Sequence, residues 1–226
     1  MPKAGSPVDL VVSEQAAELV GERLAAAARG GGHVVLTGGA SVGPAYEAAA
    51  RLQDDWTAVE LWWGDERCVP PDDERSNYGL AKATLLDHVR LGPVHRMQGE
   101  LGRDEGARRY EEELDGVDVF DLVLLGLGPD GHVASLFPGR PTLDETERRV
   151  VGAEAGLEPF VDRITLTVPA LCAAREVLFF VTGESKTDAV AAVFAGDPSR
   201  QAPGSLVRAA HGQTTAVLDP AAAAKL

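Results

Sequence analysis

Short apolar runs that alternate with segments of helical periodicity restrict the fold of this chain more than any other feature. The runs have the length of strands: HVVLT, TAVELWW, VFDLVLL, EVLFFVTG and TTAVLD. Strands that alternate with helices are typical of α/β proteins with a mainly parallel sheet. The nearly continuous apolar character of residues 119–125 favours a strand that is covered on both faces. We therefore predict an α/β fold with a parallel central sheet.

The length and charge of the chain limit the kinds of protein it can be. Its 226 residues suffice for one well-buried domain, and neither an internal repeat nor a change in composition indicates a linker. We expect residues 1–226 to form a single domain. The formal net charge of −14 argues against a nucleic-acid partner, which would require a clustered basic face. A small anionic ligand remains compatible with a few local cations.

Cysteine content and the absence of long apolar segments predict a cytoplasmic protein. Cys68 and Cys172 are far apart and show no spacing typical of a disulfide framework or a zinc site. The N-terminal stretch MPKAGSPVDL has no apolar core, so we expect no signal peptide. No segment approaches the roughly 20 apolar residues of a membrane span.

Polar or glycine-rich segments follow several of the predicted strands. These segments are TGGASVG, GDER, GLGPDGH and TGESK. Ligands of open α/β sheets bind beyond the carboxyl ends of the strands. We therefore expect these segments to build one binding site.

The segment TGGASVGP has two interpretations. Glycines between a strand and a helix let backbone N–H groups approach a phosphate, and the hydroxyls of Thr37 and Ser41 could add donors. The alternative is a flexible turn between a strand and a helix. The lysine of a P-loop and the GxGxxG spacing of a dinucleotide site are both missing, so neither nucleotide motif is supported.

Three cations near predicted strand ends also have two interpretations each. Arg67 belongs either to a solvated loop, paired with a neighbouring acid, or to an anion site that uses its planar guanidinium. Lys186 lies in the expected first turn of a helix, where the helix dipole disfavours a cation unless an anion is bound there. Arg163 opens the RITLTV strand and is either a surface charge or an anion ligand.

The sequence PDGH at residues 129–132 is either a tight turn or a catalytic element. Pro-Asp-Gly is a strong turn signal. Histidine, however, accepts a proton near neutral pH, and Asp130 is close enough to orient the His132 imidazole. Ser135 lacks the context of a nucleophile elbow. A His/Asp pair without a nucleophile indicates activation of water.

Five segments together resemble the blocks of 6-phosphogluconolactonases, in the same order. They are TGGASVGPAY, LWWGDERCVPPDDERSNYGLA, FDLVLLGLGPDGHVASLFPG, RITLTVPAL and VTGESKTDAV. The resemblance runs from about Val11 to Asp219. It implies a three-layer α/β/α, Rossmann-like domain, shared with glucosamine-6-phosphate deaminases. It also implies hydrolysis of 6-phospho-D-glucono-1,5-lactone to 6-phosphogluconate in the oxidative pentose phosphate pathway, without a cofactor or metal.

The resemblance also implies roles for individual residues. His132 matches the proposed general base, and Asp130 lies beside it. The residues that match substrate-binding positions, most of them phosphate ligands, are Gly38, Gly39, Ser41, Asp65, Arg67, Asn77, Arg163 and Lys186. Family members often carry Ser-Thr-Pro or Arg-Thr-Pro after the two glycines, where this chain has ASVGP, so the hydroxyl that contacts phosphate is left open.

Two functions other than a lactonase are compatible with parts of the sequence. Deaminases place a glutamate after their DGH, where this chain has Ser135 to Pro138, and they carry Asp-Glu-Tyr where it has Asp65 to Arg67. A non-catalytic sugar-phosphate sensor would need no base such as His132 and would carry a DNA-binding module. We therefore expect a lactonase whose partner is a small phosphosugar lactone, with no nucleic acid or membrane partner, as a monomer or weak homodimer.

Overall fold

The secondary structure is taken from a computed structural model that describes residues 7–156 and 158–226. The strands are β1 Val8–Val12, β2 Gly32–Leu36, β3 Asp55–Trp56, β4 Val59–Trp63, β5 Asp65–Arg67, β6 Arg90–Leu91, β7 Phe120–Leu125, β8 Val150–Ala153, β9 Arg163–Leu166, β10 Ala174–Val181 and β11 Gln213–Leu218. The α-helices are α1 Ala16–Gly30, α2 Gly43–Leu52, α3 Asn77–Thr84, α4 Arg103–Glu113, α5 Val168–Cys172 and α6 Thr187–Phe194. Short 3₁₀ turns cover Leu86–His88, Gly99–Leu101, Pro141–Asp144, Glu184–Lys186 and Pro203–Leu206.

A six-stranded sheet in the order β1-β11-β10-β7-β2-β4 forms the middle layer, and every neighbouring pair is parallel. Helices α1, α2 and α3 contribute to a core on one face, and α4, α5 and α6 contribute to a core on the other. Side chains of β7 alternate between the two cores: Leu122 and Leu124 enter the first, Val123 and Leu125 the second. The predicted α/β/α fold with a mainly parallel sheet is confirmed.

Small residues allow the first two helices to lie close together on their shared face. A Cβ at Gly21 of α1 would lie 2.5 Å from the Cβ of Ala48 on α2, so this contact requires glycine. Helix α1 begins at Ala16, and just before it the Ser13 hydroxyl accepts a hydrogen bond from the Gln15 amide.

A second, antiparallel sheet in the order β5-β9-β8 lies beside the central one. The GDER segment, expected to be a loop, therefore contains strand β5. The RITLTV segment is a strand, β9, but it pairs with β5 and β8 instead of joining the parallel sheet. Strand β8 had no counterpart in the sequence prediction.

The segment VHRM at residues 94–97 forms an isolated bridge rather than a strand. It bonds to β4 at one point, where Leu61 donates its amide to the Pro93 carbonyl and accepts from the His95 amide. Pro93 has no amide to extend the ladder, so pairing stops there. In the described part of the chain no helix is long and apolar enough to cross a membrane. Residues 1–6, part of the N-terminal stretch for which we expect no signal peptide, lie outside the described residues.

Candidate active site

A cavity of 740 Å³ opens at the carboxyl ends of the central strands. It lies where β2 and β7 adjoin, because the chain leaves β2 toward β4 on one side and leaves β7 toward β10 on the other. Such a switch in strand order creates a crevice that open α/β sheets use for ligands. All four segments predicted from the sequence contribute to its wall. The lining residues from those segments are Thr37, Gly38, Gly39, Ala40, Ser41, Asp65, Arg67, Gly126, Leu127, Gly128, Pro129, His132, Thr182 and Lys186.

The loop after β2 presents backbone donors to this cavity. Within the described residues, the amides of Gly38, Gly39, Ala40 and Ser41 donate to no protein acceptor. Gly39 has a φ of +104°, a conformation that favours glycine. Free amides in a loop that leads into a helix are suited to an anion such as phosphate.

Two buried side chains fix the position of this loop. The hydroxyl of Tyr46, on α2, accepts from the Thr37 amide at 2.9 Å and donates to the Thr37 carbonyl at 2.6 Å. Burial raises the pKa of Tyr46, so the hydroxyl keeps its proton. A Cβ at Gly38 would lie 1.8 Å from the Asn77 amide oxygen, so glycine is required for Asn77 to lie beneath the loop.

The PDGH segment forms a tight turn and also holds a polar pair. Gly128 donates its amide to the His132 carbonyl at 2.8 Å, and Gly131, with a φ of +81°, donates to the Gly128 carbonyl. The imidazole crosses directly over Gly128, since a Cβ there would lie 2.0 Å from Nδ1 of His132. The turn and the catalytic interpretation are thus compatible.

The contact with Asp130 determines which nitrogen of the neutral His132 ring carries the proton. Nδ1 of His132 lies 2.5 Å from Oδ1 of Asp130. Burial acts to raise the pKa of Asp130, but the hydrogen bonds from His132 and its charge outweigh that effect, so the pKa is lowered. An ionised carboxylate can only accept, so in the neutral ring Nδ1 carries the proton and Nε2 is left as the basic nitrogen.

Lys186 is a cation in the wall of the cavity. It precedes α6 as the N-cap residue, one position before the helical turn in which we expected it. Among the described residues its ammonium group has no hydrogen-bonding or ion-pair partner. Burial lowers the pKa of Lys186, and the negative charge of Asp130 opposes that shift. A partly buried ammonium next to a helix N-terminus gives this wall positive potential.

Arg163 is buried rather than a surface charge. Only 4% of it is exposed, and it donates to the carbonyls of Val161 and Pro159 at 3.0 and 2.9 Å. Burial lowers the pKa of Arg163, while the charge of Asp65 counteracts this. The side chain thus holds the 159–161 loop at the cavity while it adds positive charge to the wall.

Arg67 does not pair with a neighbouring acid. One terminal nitrogen, Nη1, donates to the Arg75 carbonyl, whereas Nε is buried and has no acceptor among the described residues. Arg67 lines the cavity, so its guanidinium adds positive charge to the wall.

Asp65 and Asn77 are joined to each other and to the loop that follows PDGH. The Asn77 amide nitrogen donates to Oδ1 of Asp65 at 3.1 Å, and the Ser135 hydroxyl donates to Oδ2 at 2.6 Å. Both residues line the cavity, and the amide oxygen of Asn77 is buried without a described partner.

Several residues around the site were not found from the sequence. Glu66 is 3% exposed and accepts from the amides of Arg67, Asn77 and Tyr78 and from the Ser76 hydroxyl, and so it caps α3 together with Ser76. Burial raises the pKa of Glu66, and the hydrogen bonds that it accepts counteract this shift. Three residues of the irregular segments also line the cavity: Phe137, Glu158 and Phe160. Phe137 and Phe160 could have been recognised as candidates for the site, because each is an aromatic residue in a glycine-rich or irregular stretch.

Residues 135–138, where a deaminase would place a glutamate and a lactonase would not, contain no acid. Ser135 is fully buried, and the Phe137 ring lies 4.6 Å from the His132 ring, centroid to centroid. The described residues contain no group of three or more His, Cys, Asp or Glu side chains placed to hold a metal ion.

Comparison with known proteins places these features in one family. The family model for glucosamine-6-phosphate isomerases and 6-phosphogluconolactonase matches residues 9–216. A 6-phosphogluconolactonase of Streptomyces coelicolor is 41% identical, over 96% of this chain and 91% of its own length. The crystal structure of the 6-phosphogluconolactonase of Thermotoga maritima superposes with a TM-score of 0.83 at 28% identity, covering 95% of this chain and 100% of that one.

A monomeric glucosamine-6-phosphate deaminase has the same fold, with a TM-score of 0.86 at 19% identity and coverage of 98% of this chain and 100% of that one. The resemblance stated from the sequence blocks is confirmed by the family model and by these relatives. The chain belongs to the family of glucosamine-6-phosphate isomerases and 6-phosphogluconolactonases.

Proposed function

We propose that this protein is a 6-phosphogluconolactonase, an enzyme that hydrolyses 6-phospho-D-glucono-1,5-lactone to 6-phosphogluconate. The observation that carries the proposal is the Asp130–His132 pair, which in the neutral ring leaves Nε2 of His132 as the basic nitrogen beside a cavity lined with cations and free amides. Relatives at up to 43% identity that bear this name support it.

The phosphate of the substrate binds at the cavity wall formed by the loop after β2, Arg163 and Lys186. Its ligands are the amides of Gly38 and Gly39, the ammonium of Lys186 and the guanidinium of Arg163, with the Ser41 hydroxyl as a further donor. The support is the free state of the loop amides and of Lys186 among the described residues. Asp65 and Asn77 remain proposed substrate contacts through the faces that line the cavity.

His132 acts as the general base. Nε2 removes a proton from water as the water oxygen attacks C1 of the lactone, and Asp130 stabilises the imidazolium that forms. The tetrahedral oxyanion receives a hydrogen bond from the guanidinium of Arg67, which lines the cavity, or from a loop amide. Collapse of the intermediate breaks the bond from C1 to the ring oxygen, and His132 returns the proton to the leaving C5 oxygen.

The magnitudes required are moderate because a lactone is an activated ester. General base catalysis contributes typically ~10²–10⁴-fold. An oxyanion donor adds about 10²–10³-fold. Those contributions, together with the positioning of the bound phosphosugar, account for the reaction without any additional group.

The decisive experiment generates the lactone in situ and follows its disappearance above the spontaneous rate, with glucosamine 6-phosphate tested in parallel. We expect enzyme-dependent hydrolysis of the lactone and no ammonia from glucosamine 6-phosphate. Release of ammonia without lactone hydrolysis would replace this proposal with a deaminase.

We further propose that residues 1–226 act as one domain in the cytoplasm, as a monomer or weak homodimer without a nucleic-acid partner. The two unpaired cysteines support a reducing compartment, and the net charge of −14 disfavours binding to polyanions.

A further inference from the structure

We propose that Ser135 is a positioning residue. It is held by hydrogen bonds to Asp65 and Thr165 and thereby fixes the loop that carries His132. The inference rests on the proposed function, in which His132 is the general base. It assigns to the small β5-β9-β8 sheet a part in catalysis, although none of its residues is the base.

The hydroxyl and the amide of Ser135 both bind to one pair of residues in that sheet. Its hydroxyl donates to Oδ2 of Asp65 at 2.6 Å, and its amide donates to Oγ1 of Thr165 at 3.2 Å. Asp65 and Thr165 lie directly opposite each other on β5 and β9. Ser135 and Thr165 are fully buried and Asp65 is 6% exposed, so water does not compete for these bonds.

The residue before Ser135 has an unfavourable backbone conformation. Ala134 has a φ of +47°, and in the described part of the chain no other non-glycine residue has a positive φ. A left-handed alanine is disfavoured by about five- to thirty-fold in equilibrium constant. Such a conformation persists only where surrounding contacts impose it, and it is found mainly at functional sites.

The strained residue connects the fixed serine to the catalytic histidine. Ala134 lines the cavity two residues after His132. On the other side, the His132 carbonyl is held by the Gly128 amide at 2.8 Å. The backbone of His132 is therefore fixed at one end by the PDGH turn and at the other by the bonds to Ser135. Relaxation of Ala134 would move His132 relative to the bound lactone.

The experiment compares steady-state kinetics and thermal unfolding of Ser135→Ala with those of the wild type. We expect kcat to fall about five- to thirty-fold, with little change in KM. This is the factor by which the left-handed conformation of an alanine is disfavoured when no contact imposes it. Thr214→Val is the matched control. It removes a buried hydroxyl that accepts from the Ala209 amide at the start of β11, the end of the strand away from the cavity. It should lower Tm similarly and leave kcat unchanged.

The double variant Ala134→Gly/Ser135→Ala separates positioning from simple loss of stability. Glycine adopts a positive φ without penalty, so it should restore part of the kcat lost in Ser135→Ala. The inference is overturned if Ser135→Ala keeps the kcat of Thr214→Val, or if the double variant is no faster than Ser135→Ala. A wild type without lactonase activity would instead reject the proposed function and, with it, the role of His132.

Discussion

At the scale of single residues, the candidate site depends on a few side chains whose contacts and burial restrict what each of them can do chemically. His132 is directed by a carboxylate two positions earlier, and its ring fits only because residue 128 has no side chain. Lys186 is a partly buried ammonium without a described partner. These residues give the most direct tests of the proposed mechanism.

Replacement of His132 by alanine should lower kcat by about 10²–10⁴-fold, because the base that deprotonates water is lost. KM should change little, since the phosphate is bound elsewhere. Lactone hydrolysis measured above the spontaneous background tests this. His211→Ala, a change at an exposed histidine, is the matched control and should keep full activity. A His132→Ala enzyme with the wild-type kcat would contradict the assignment of the base.

Replacement of Lys186 by methionine should weaken binding of 6-phosphogluconate by ~1.5–3 kcal/mol, the usual range for a hydrogen bond to a charged group. Because burial lowers the pKa of Lys186, the charged form is lost as pH rises at values below those of an ordinary lysine. Wild-type affinity should therefore decline with rising pH in that range, and the variant should show a flatter profile. Calorimetric titration measures both effects.

The control for this titration is Lys82→Met, at an exposed lysine paired with Asp87. It should reproduce the wild-type affinity and pH profile. Identical pH profiles for the wild type and Lys186→Met would show that another group controls phosphate binding.

At the scale of elements, the cavity is built from loops that follow strands, and each loop is held by a buried polar contact. Tyr46 fixes the loop after β2, and Glu66 fixes the start of α3 beneath it. A carboxylate at a helix N-terminus accepts from amides that have no partner within the helix and also interacts favourably with the helix dipole. Helix α3 and the glycine loop above it are thus positioned together.

Replacement of Glu66 by glutamine should lower the free energy of unfolding by about 1–3 kcal/mol, because an NH₂ group would face donors and leave some of them unsatisfied. Urea unfolding followed by circular dichroism measures the change. Glu74→Gln, at a nearby exposed glutamate, should leave stability unchanged. Equal stability of the two variants would mean that Glu66 does not cap α3.

At the scale of the whole molecule, one sheet separates two cores and belongs to both. Trp56 and Trp63 lie in the core formed with α1, α2 and α3, and Trp62 lies in the other. Alternate residues of the same strands fill the two cores, so neither core keeps its strands if the other unfolds. Although the chain has a net charge of −14, the cations Arg67, Arg163 and Lys186 all line one cavity.

This architecture predicts one cooperative unfolding transition for the whole chain. Two variants provide a reporter for each core: Trp62→Phe leaves tryptophans only in the first, and Trp56→Phe/Trp63→Phe leaves one only in the second. After correction for any change in overall stability measured by circular dichroism, fluorescence and circular dichroism should give the same midpoint within each variant. Separate midpoints for fluorescence and circular dichroism would show two domains instead of one.

Local patterns determined much of this protein from its sequence. The alternation of strand and helix patterns predicted an α/β fold with a mainly parallel sheet, because side-chain periodicity reports which faces of an element are buried. Glycines and prolines after strands marked the loops of the site, because their backbone demands are local. The Asp130–His132 pair could be predicted for the same reason: its two members are two residues apart.

Contacts between distant segments were decided only by the tertiary structure. Asp65 and Ser135 are 70 residues apart, and no local pattern indicates that they bond. The β5-β9-β8 sheet, the buried state of Glu66 and the left-handed backbone of Ala134 likewise depend on which segments meet. The physical reason is that periodicity shows whether a side chain is buried, whereas its partner is set by strand pairing and packing across the whole chain. The sequence thus predicted the Asp130–His132 pair that we propose as base and carboxylate, and the fold determined what holds this pair in place.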